Sequence, residues 1–149
     1  MASDGFPELF ERERAGMVGL AYLVTGSNAV AEEIAHDAFI NVYERWERLD
    51  NPGAYLRRCV VNAAIRAKQR HAHGERLAVV AAPGEEYTAE FDTTLDLVRG
   101  LAPRARALVV LRYYDQLSIE EIADVLDIPA GTVKSGLHRA LNQLREVLA

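Results

Sequence analysis

Apolar side chains recur along this chain at the three- and four-residue intervals of α-helices, and turn-forming residues separate the recurrences. The pattern predicts a first helix over residues 6–24, a second over 29–48 and a third over 54–71. The first break, Thr25-Gly26-Ser27-Asn28, offers a glycine stop followed by two candidate N-caps. The second break, residues 49–53, contains adjacent proline and glycine. The N-terminal half is therefore expected to be a bundle of three helices.

The C-terminal part repeats this pattern over shorter segments. Residues 95–114 predict two helices broken at 101–103, and residues 117–145 predict a pair of helices joined by a tight turn at Pro129 and Gly131. The apolar faces of that pair consist of Ile119, Ile122, Ala123 and Leu126, then Val133, Leu137, Ala140, Leu141, Leu144 and Leu148. The expected fold class is all-α, with two small helical domains and a C-terminal helix-turn-helix.

The outward face of the last helix is rich in hydrogen-bond donors and cations. Its residues are Thr132, Lys134, Ser135, His138, Arg139 and Asn142, and no carboxylate follows until Glu146. A helix that is apolar on one side and cationic on the other can enter the major groove of DNA. The alternative is that the helix pair serves packing alone.

Charge is divided unevenly along the chain, whose net charge is -5. Residues 1–52 carry 4 basic and 10 acidic side chains, whereas residues 53–76 carry 6 basic and 1 acidic. Residues 77–100 are again acidic, with 1 basic and 5 acidic side chains. Such asymmetry predicts one surface for a basic protein and another for phosphate. Solvated faces with no partner are the alternative for both.

Composition excludes several classes of protein. The 149 residues contain no apolar run of the roughly 20 needed to span a bilayer, and the N-terminus lacks the features of a signal peptide, so a cytoplasmic protein without membrane insertion is expected. The single cysteine, Cys59, is expected to fill the core. The four histidines are scattered, and neither a phosphate loop nor a nucleophile elbow occurs. We therefore expect no enzyme activity, no metal site and no cofactor.

Two sets of motifs resemble a known family. In the C-terminal half, Leu111 to Tyr113, Glu120 to Leu126, Gly131 to Ser135 and Leu137 to Ala140 resemble, in order, the promoter-reading domain of bacterial sigma factors. In the N-terminal half, AYLVTGSNAVAEEIAHDAF and YERWERLDNPGAYLRRCVVN resemble the first domain of extracytoplasmic-function (group four) sigma factors, especially an actinobacterial-type, SigE-like subgroup. The resemblance covers nearly everything except the segment between the domains.

The resemblance implies a division of labour. Residues 1–73 would dock on the clamp of core RNA polymerase and recognise and melt the minus-10 element, 74–94 would be a flexible acidic linker, and 95–149 would read the minus-35 element. The implied polymerase contacts are Glu33, Asp37 and Asn41. The implied minus-10 contacts are Asn51, Tyr55, Arg58, Asn62 and Arg66, and the implied minus-35 contacts are Thr132, Lys134, Ser135, His138 and Arg139.

Two departures from the family pattern affect these expectations. His36 replaces the usual glutamine, and Gly136 stands where relatives usually have arginine or glutamine, which predicts that one DNA contact is missing. A glycine within a helix also costs about 1 kcal/mol relative to alanine.

The sequence leaves alternatives open. A dimeric helix-turn-helix regulator that acts without polymerase would read a palindromic site, whereas a sigma factor reads two unlike half-sites. A protein-interaction module that has lost DNA binding is the third possibility. The promoter sequence, the activating signal and sequestration by an anti-sigma protein are not determined by the sequence.

Overall fold

The structure, a computed structural model, describes residues 5–72 and 89–148. Every regular element in these two ranges is helical, which confirms the expected all-α class. The long helices in chain order are α1 (Phe6–Thr25), α2 (Asn28–Glu44), α3 (Pro52–Ala72), α4 (Ala89–Val98), α5 (Pro103–Val109), α6 (Ile119–Leu126) and α7 (Ala130–Leu148). A 3₁₀ turn at Trp46–Arg48 follows α2, and a π-helical turn at Val110–Tyr114 continues α5.

The residues at the first two breaks end and begin the helices. Gly26 adopts a left-handed conformation with φ of 76° and closes α1, and the Ser27 hydroxyl accepts a hydrogen bond from the Val30 amide at 3.2 Å. At the second break, Asn51 Oδ1 accepts from the Ala54 amide at 3.1 Å. Helix α3 therefore begins at Pro52, two residues earlier than predicted, because first-turn amides need no intrahelical partner and proline is tolerated there.

Two other boundaries differ from the prediction. Helix α2 ends at Glu44 instead of reaching residue 48, because its last turn tightens into the 3₁₀ turn. Helix α4 begins at Ala89, inside the segment predicted as a linker. The remainder of the predicted linker, through residue 88, lies outside the described residues.

Helices α1, α2 and α3 pack on one another around a core of fully buried side chains. The largest of these are Met17, Leu20, Leu23, Val42, Leu56 and Val60. On the inner side of α2, Ala35, Phe39 and Val42 are buried, and Trp46 just after this helix is half-buried. Phe10 on α1 is 37% exposed, and its ring packs edge-on against that of Phe39 with 4.9 Å between the ring centres.

The helix-turn-helix has the predicted elements and clear local stops. The Ser118 hydroxyl accepts from the Glu121 amide, and the Glu121 carboxylate accepts from the Ser118 amide, which forms a capping box at the start of α6. Asp127 adopts a left-handed conformation with φ of 54° and ends α6. Ile122 and Val133 are fully buried where α6 and α7 meet.

The two halves of the chain share one continuous hydrophobic core. Helix α3 packs against α5 and α6, and α1 packs against the π-helical turn. Leu117 and Val125, which lie outside the predicted apolar face of α6, are each only 6% exposed and line a cleft between α3 and α6. The contact between the halves therefore includes apolar burial as well as polar bonds.

Candidate nucleic-acid and polymerase interfaces

The predicted DNA-reading residues of α7 lie on its exposed face. Thr132, Lys134, Ser135, His138 and Arg139 are all exposed. The hydrogen bonds that these side chains form are within α7. For example, the Ser135 hydroxyl donates to the Thr132 carbonyl at 3.2 Å. Among the described residues, no carboxylate forms an ion pair with Lys134 or Arg139. Both cations are therefore available to an anionic partner.

Gly136 belongs to the other side of α7. It is buried, and a Cβ placed on it would lie 2.6 Å from Leu108 Cδ1 on α5. The sequence-based interpretation that Gly136 marks a missing DNA contact is therefore wrong. The residue lets α5 and α7 approach closely and does not lie on the outward face.

The predicted minus-10 residues fall into two groups on α3. Asn51, Tyr55, Arg58 and Asn62 lie on the side of α3 that faces α6, whereas Arg66 is exposed in a separate groove between α2 and α3. Asn51 also has a structural role, because its side-chain oxygen caps α3. The structure thus brings four of the five residues together.

Two of these residues bond to the opposite half of the chain. Arg58 Nη2 donates to the Asp124 carbonyl at 2.5 Å, and Asn62 Nδ2 donates to the Val125 carbonyl at 3.4 Å. Both bonds are to backbone oxygens of α6, so they depend on the position of that helix and not on its side chains.

A further basic residue of α3, Arg57, pairs with an acidic residue of the C-terminal half. Its Nε lies 2.5 Å from Oδ2 of Asp115, just after the π-helical turn, and the two side chains are 23% and 15% exposed. The resulting ion pair joins the two halves and is largely shielded from water.

The environment of Tyr55 favours its neutral form. Desolvation raises the pKa of the Tyr55 phenol, with a smaller contribution from Cys59, and burial likewise raises the pKa of the Cys59 thiol. Cys59 is half-buried and borders the groove between α2 and α3, so it fills the core only in part. Both groups are uncharged at neutral pH.

The predicted polymerase-binding residues line the groove between α2 and α3. Glu33 and Asp37 are exposed and Asn41 is half-buried, and the other wall of this groove of about 530 Å³ includes Arg66 and Arg70. Within the described part of the chain, neither Glu33 nor Asp37 takes part in an ion pair. Their charges are therefore open to a cationic partner.

Comparison with known proteins identifies the family. The sigma-70 region 2 model matches residues 9–73, and the sigma-70 region 4 model matches residues 92–144. The chain is 38% identical over 128 residues to the RNA polymerase sigma-E factor of Streptomyces coelicolor, covering 79% of this chain and 71% of that protein. The chain belongs to the sigma factors of RNA polymerase. The resemblance inferred from the motifs is confirmed.

Other relatives agree with this assignment. The sigma factor is 28% identical to the ECF RNA polymerase sigma factor SigW of Bacillus subtilis, over 97% of this chain and 89% of that one. Its fold matches the sigma factor RpoE in the co-crystal structure with the anti-sigma factor NepR from Bartonella quintana, with a TM-score of 0.75, 21% identity and coverage of 98% and 97%. It also matches CnrH in complex with the cytosolic domain of CnrY, with a TM-score of 0.73, 19% identity and coverage of 99% and 92%.

Arg106 was not among the residues of the sigma factor that were selected from its sequence. Arg106 on α5 is fully buried, and its Nε donates to the Leu23 carbonyl at the end of α1 at 2.6 Å. Its two Nη atoms have no hydrogen-bond partner among the described residues. Burial, together with the charge of Arg99, lowers the pKa of Arg106 to about 10. Because no periodicity distinguishes Arg106 from the exposed Arg104, its burial could not be predicted from the sequence.

Other kinds of site are not evident in the described part of this sigma factor. No described helix has both the length and the hydrophobicity needed to cross a membrane. Across residues 5–72 and 89–148, no group of three or more potential metal ligands comes together.

Proposed function

We propose that this sigma factor binds core RNA polymerase in the cytoplasm and directs initiation at promoters that contain two unlike elements. The observation that carries the proposal is the presence of two separate cationic surfaces, one on α3 and one on α7, in domains of different construction. The protein supplies promoter recognition and strand separation, and the chemistry of transcription belongs to the polymerase.

On the C-terminal side, the outward face of α7 reads the minus-35 duplex. Lys134 and Arg139 contribute charge-assisted hydrogen bonds, and Thr132, Ser135 and His138 add further hydrogen-bonding groups. Arginine and lysine pair with the acceptor edge of guanine in the major groove, so these side chains can supply both affinity and base preference.

On the N-terminal side, α3 reads the minus-10 element. Arg58 and Arg66 follow the phosphate backbone, and Asn62 presents an amide that discriminates between base edges. The neutral phenol of Tyr55 offers a face on which one unstacked base can be held. The Asn51 side chain caps the helix that carries these groups.

The acidic face of α2 is the proposed docking surface for polymerase. Glu33 and Asp37 are exposed one turn apart and unpaired within the described residues, and Asn41 extends the same line. Complementary charge across such an interface raises the association rate and excludes partners of the wrong sign. An anti-sigma protein is a further proposed partner, because one of the similar solved structures contains an anti-sigma factor.

Reconstitution with core polymerase tests the proposal. Purified sigma factor and core enzyme are incubated with a library of randomised promoters, and run-off transcripts are sequenced against a control with core enzyme alone. The expected result is enrichment of two unlike elements at a fixed spacing. If the isolated protein instead selects a palindrome with half-sites about one helical turn apart and does not stimulate core enzyme, it is a polymerase-independent regulator.

A further inference from the structure

Three exposed side chains on the outward face of α7 are connected by hydrogen bonds. Asn142 Nδ2 lies 3.3 Å from His138 Nε2, and Arg145 Nη1 donates to Asn142 Oδ1 at 3.4 Å. The three residues follow one another at intervals of four and three, so they lie along one side of the helix. This row leads from the proposed minus-35 contacts toward the C-terminal end of α7.

Arg145 fixes the orientation of the Asn142 amide. A guanidinium group has donors and no acceptor, so the amide turns its oxygen toward Arg145 and its nitrogen toward the ring of His138. The opposite orientation would place the N–H groups of the amide against those of the guanidinium, and this contact would then have no acceptor. Arg145 thus acts on His138 through the amide between them.

The amide in turn fixes which ring nitrogen of His138 carries hydrogen. An amide nitrogen only donates, so Nε2 of His138 has to accept, and the ring hydrogen lies on Nδ1. The hydrogen bond made by one nitrogen of an imidazole selects the tautomer in this way. His138 therefore offers a single donor, Nδ1–H, to a partner that approaches the exposed face of α7.

A single donor distinguishes between base edges. In the major groove, guanine offers the acceptors N7 and O6 and thymine offers O4, whereas the amino group of cytosine is itself a donor. In the other tautomer, with hydrogen on Nε2, the Nδ1 atom would accept and the preference would be reversed. The bond from Asn142 thus decides which base edge His138 can read.

We propose that Asn142 and Arg145 are positioning residues for base recognition: they hold His138 with hydrogen on Nδ1, so that it selects a guanine or thymine edge in the minus-35 duplex. Neither residue needs to touch that base. The contact of His138 with DNA rests on the proposed function, whereas the tautomer of its ring does not. The two parts of the proposal can therefore be tested by different measurements on the full-length chain.

The first measurement is nuclear magnetic resonance of the free protein with nitrogen-15 in its histidines. Long-range hydrogen–nitrogen spectra at about pH 8, above the usual titration range of imidazole, show which ring nitrogen carries hydrogen. His138→Ala identifies the signal among those of the four histidines. The wild type should carry hydrogen on Nδ1. Arg145→Glu replaces a donor with an acceptor, which turns the amide round and should move the hydrogen to Nε2.

Two further variants provide the comparison. Asn142→Ala removes the bond to the ring, so the His138 signal should become a mixture of both tautomers. Gln143→Ala is the matched control, because it removes an exposed amide from the next position of α7, where that amide donates to the Gly100 carbonyl at 3.4 Å. It should leave the His138 signal unchanged. Far-UV circular dichroism checks the helix content of each variant.

The second measurement is promoter selection by holoenzymes that contain the same variants. His138→Ala should reduce the preference at one base pair of the minus-35 element by about 2- to 10-fold, as expected for one hydrogen bond. Asn142→Ala should act at the same base pair and should add nothing to His138→Ala. Arg145→Glu should shift the preference there toward a base with a donor edge, and Gln143→Ala should leave it unchanged.

The outcomes separate the ring from its DNA contact. A wild-type signal with hydrogen on Nε2, or one that neither Asn142→Ala nor Arg145→Glu alters, overturns the positioning. A tautomer that responds to both variants, with a base preference that responds to His138→Ala alone, overturns the link between the two. Holoenzymes with no minus-35 preference at all would contradict the proposed function, and with it the DNA contact of His138, while the tautomer result would stand.

Discussion

The ion pair of Arg57 with Asp115 should contribute measurably to the stability of the whole chain. At about 4 Å between charge centres, the Coulomb energy is about 4 kcal/mol for an effective dielectric constant of 20. The partial burial of both side chains, 23% and 15% exposed, offsets part of this through lost hydration. We therefore expect a coupling of about 1–3 kcal/mol between Arg57→Ala and Asp115→Ala, which lies above the range for exposed pairs.

A double-mutant cycle measures this coupling. Urea denaturation is followed for the wild type, both single variants and the double variant, using the fluorescence of Trp46, the single tryptophan, and far-UV circular dichroism. Trp46 reports the N-terminal half alone, so coincidence of the two curves shows that the halves unfold together.

The pair of Arg14 with Glu32 is a matched control. It joins α1 to α2 at 3.1 Å, but its side chains are 44% and 38% exposed. Its coupling should be below about 1 kcal/mol and should fall further with added salt, because exposed pairs are screened more strongly. A coupling for Arg57 and Asp115 no larger than that of the control pair would refute the reasoning.

Three further predictions concern binding and local structure. Changing Glu33 and Asp37 together to lysine should abolish core polymerase binding in a pull-down while leaving helicity unchanged, and unchanged core affinity would exclude α2 as the docking surface. Gly136→Ala should be less favourable in thermal denaturation than Gly16→Ala by about 1–3 kcal/mol, because a Cβ at position 136 meets a leucine methyl of α5 and one at 16 meets nothing within 4 Å; equal effects would contradict the close approach. Ser118→Ala should cost about 1 kcal/mol at neutral pH. The amide and hydroxyl of Ser118 lower the pKa of the Glu121 carboxylate in the capping box, so the cost of Glu121→Gln should shrink as pH falls through that lowered pKa, and a cost independent of pH in urea titrations would contradict the pairing.

Helical periodicity was sufficient to predict the elements of the fold. The helix ends were easiest to predict where a residue type has a specific role in capping. Gly26 ends α1 in a left-handed conformation, and the side chain of Ser27 caps the start of α2. Boundaries were less accurate. Proline can occupy a first turn, so α3 begins at Pro52, and an acidic composition does not prevent a helix, so α4 begins at Ala89.

The contacts between the halves were not predicted. Residues 115–127 are acidic and residues 53–76 are basic, but residues 101–149 as a whole carry six basic and six acidic side chains, so their total charge hides the acidic segment. A finer division of the charge would have matched the segment around α6 with α3. The unpartnered guanidinium of Arg106 depends on tertiary packing and left no pattern to detect.

The candidate DNA surfaces were predicted only in part. Exposure of Lys134 and Arg139 followed directly from the period of α7. The direction of Gly136 also followed from that period, because Gly136 lies three residues after Val133 and four before Ala140, but the comparison with the family pattern was followed instead. The roles of the individual residues in DNA binding remain predictions.

The central claim is that two unlike helices read two unlike promoter elements, and selection of promoters by variant holoenzymes tests it most directly. Run-off transcription from a randomised promoter library is compared for wild type, for Lys134→Ala with Arg139→Ala, and for Asn62→Ala. We predict that the α7 variant loses preference only at the upstream element, by about 1–3 kcal/mol for each base that it reads, and that Asn62→Ala relaxes one position of the downstream element. Identical preferences from all three holoenzymes, or a change at the wrong element, would contradict the account.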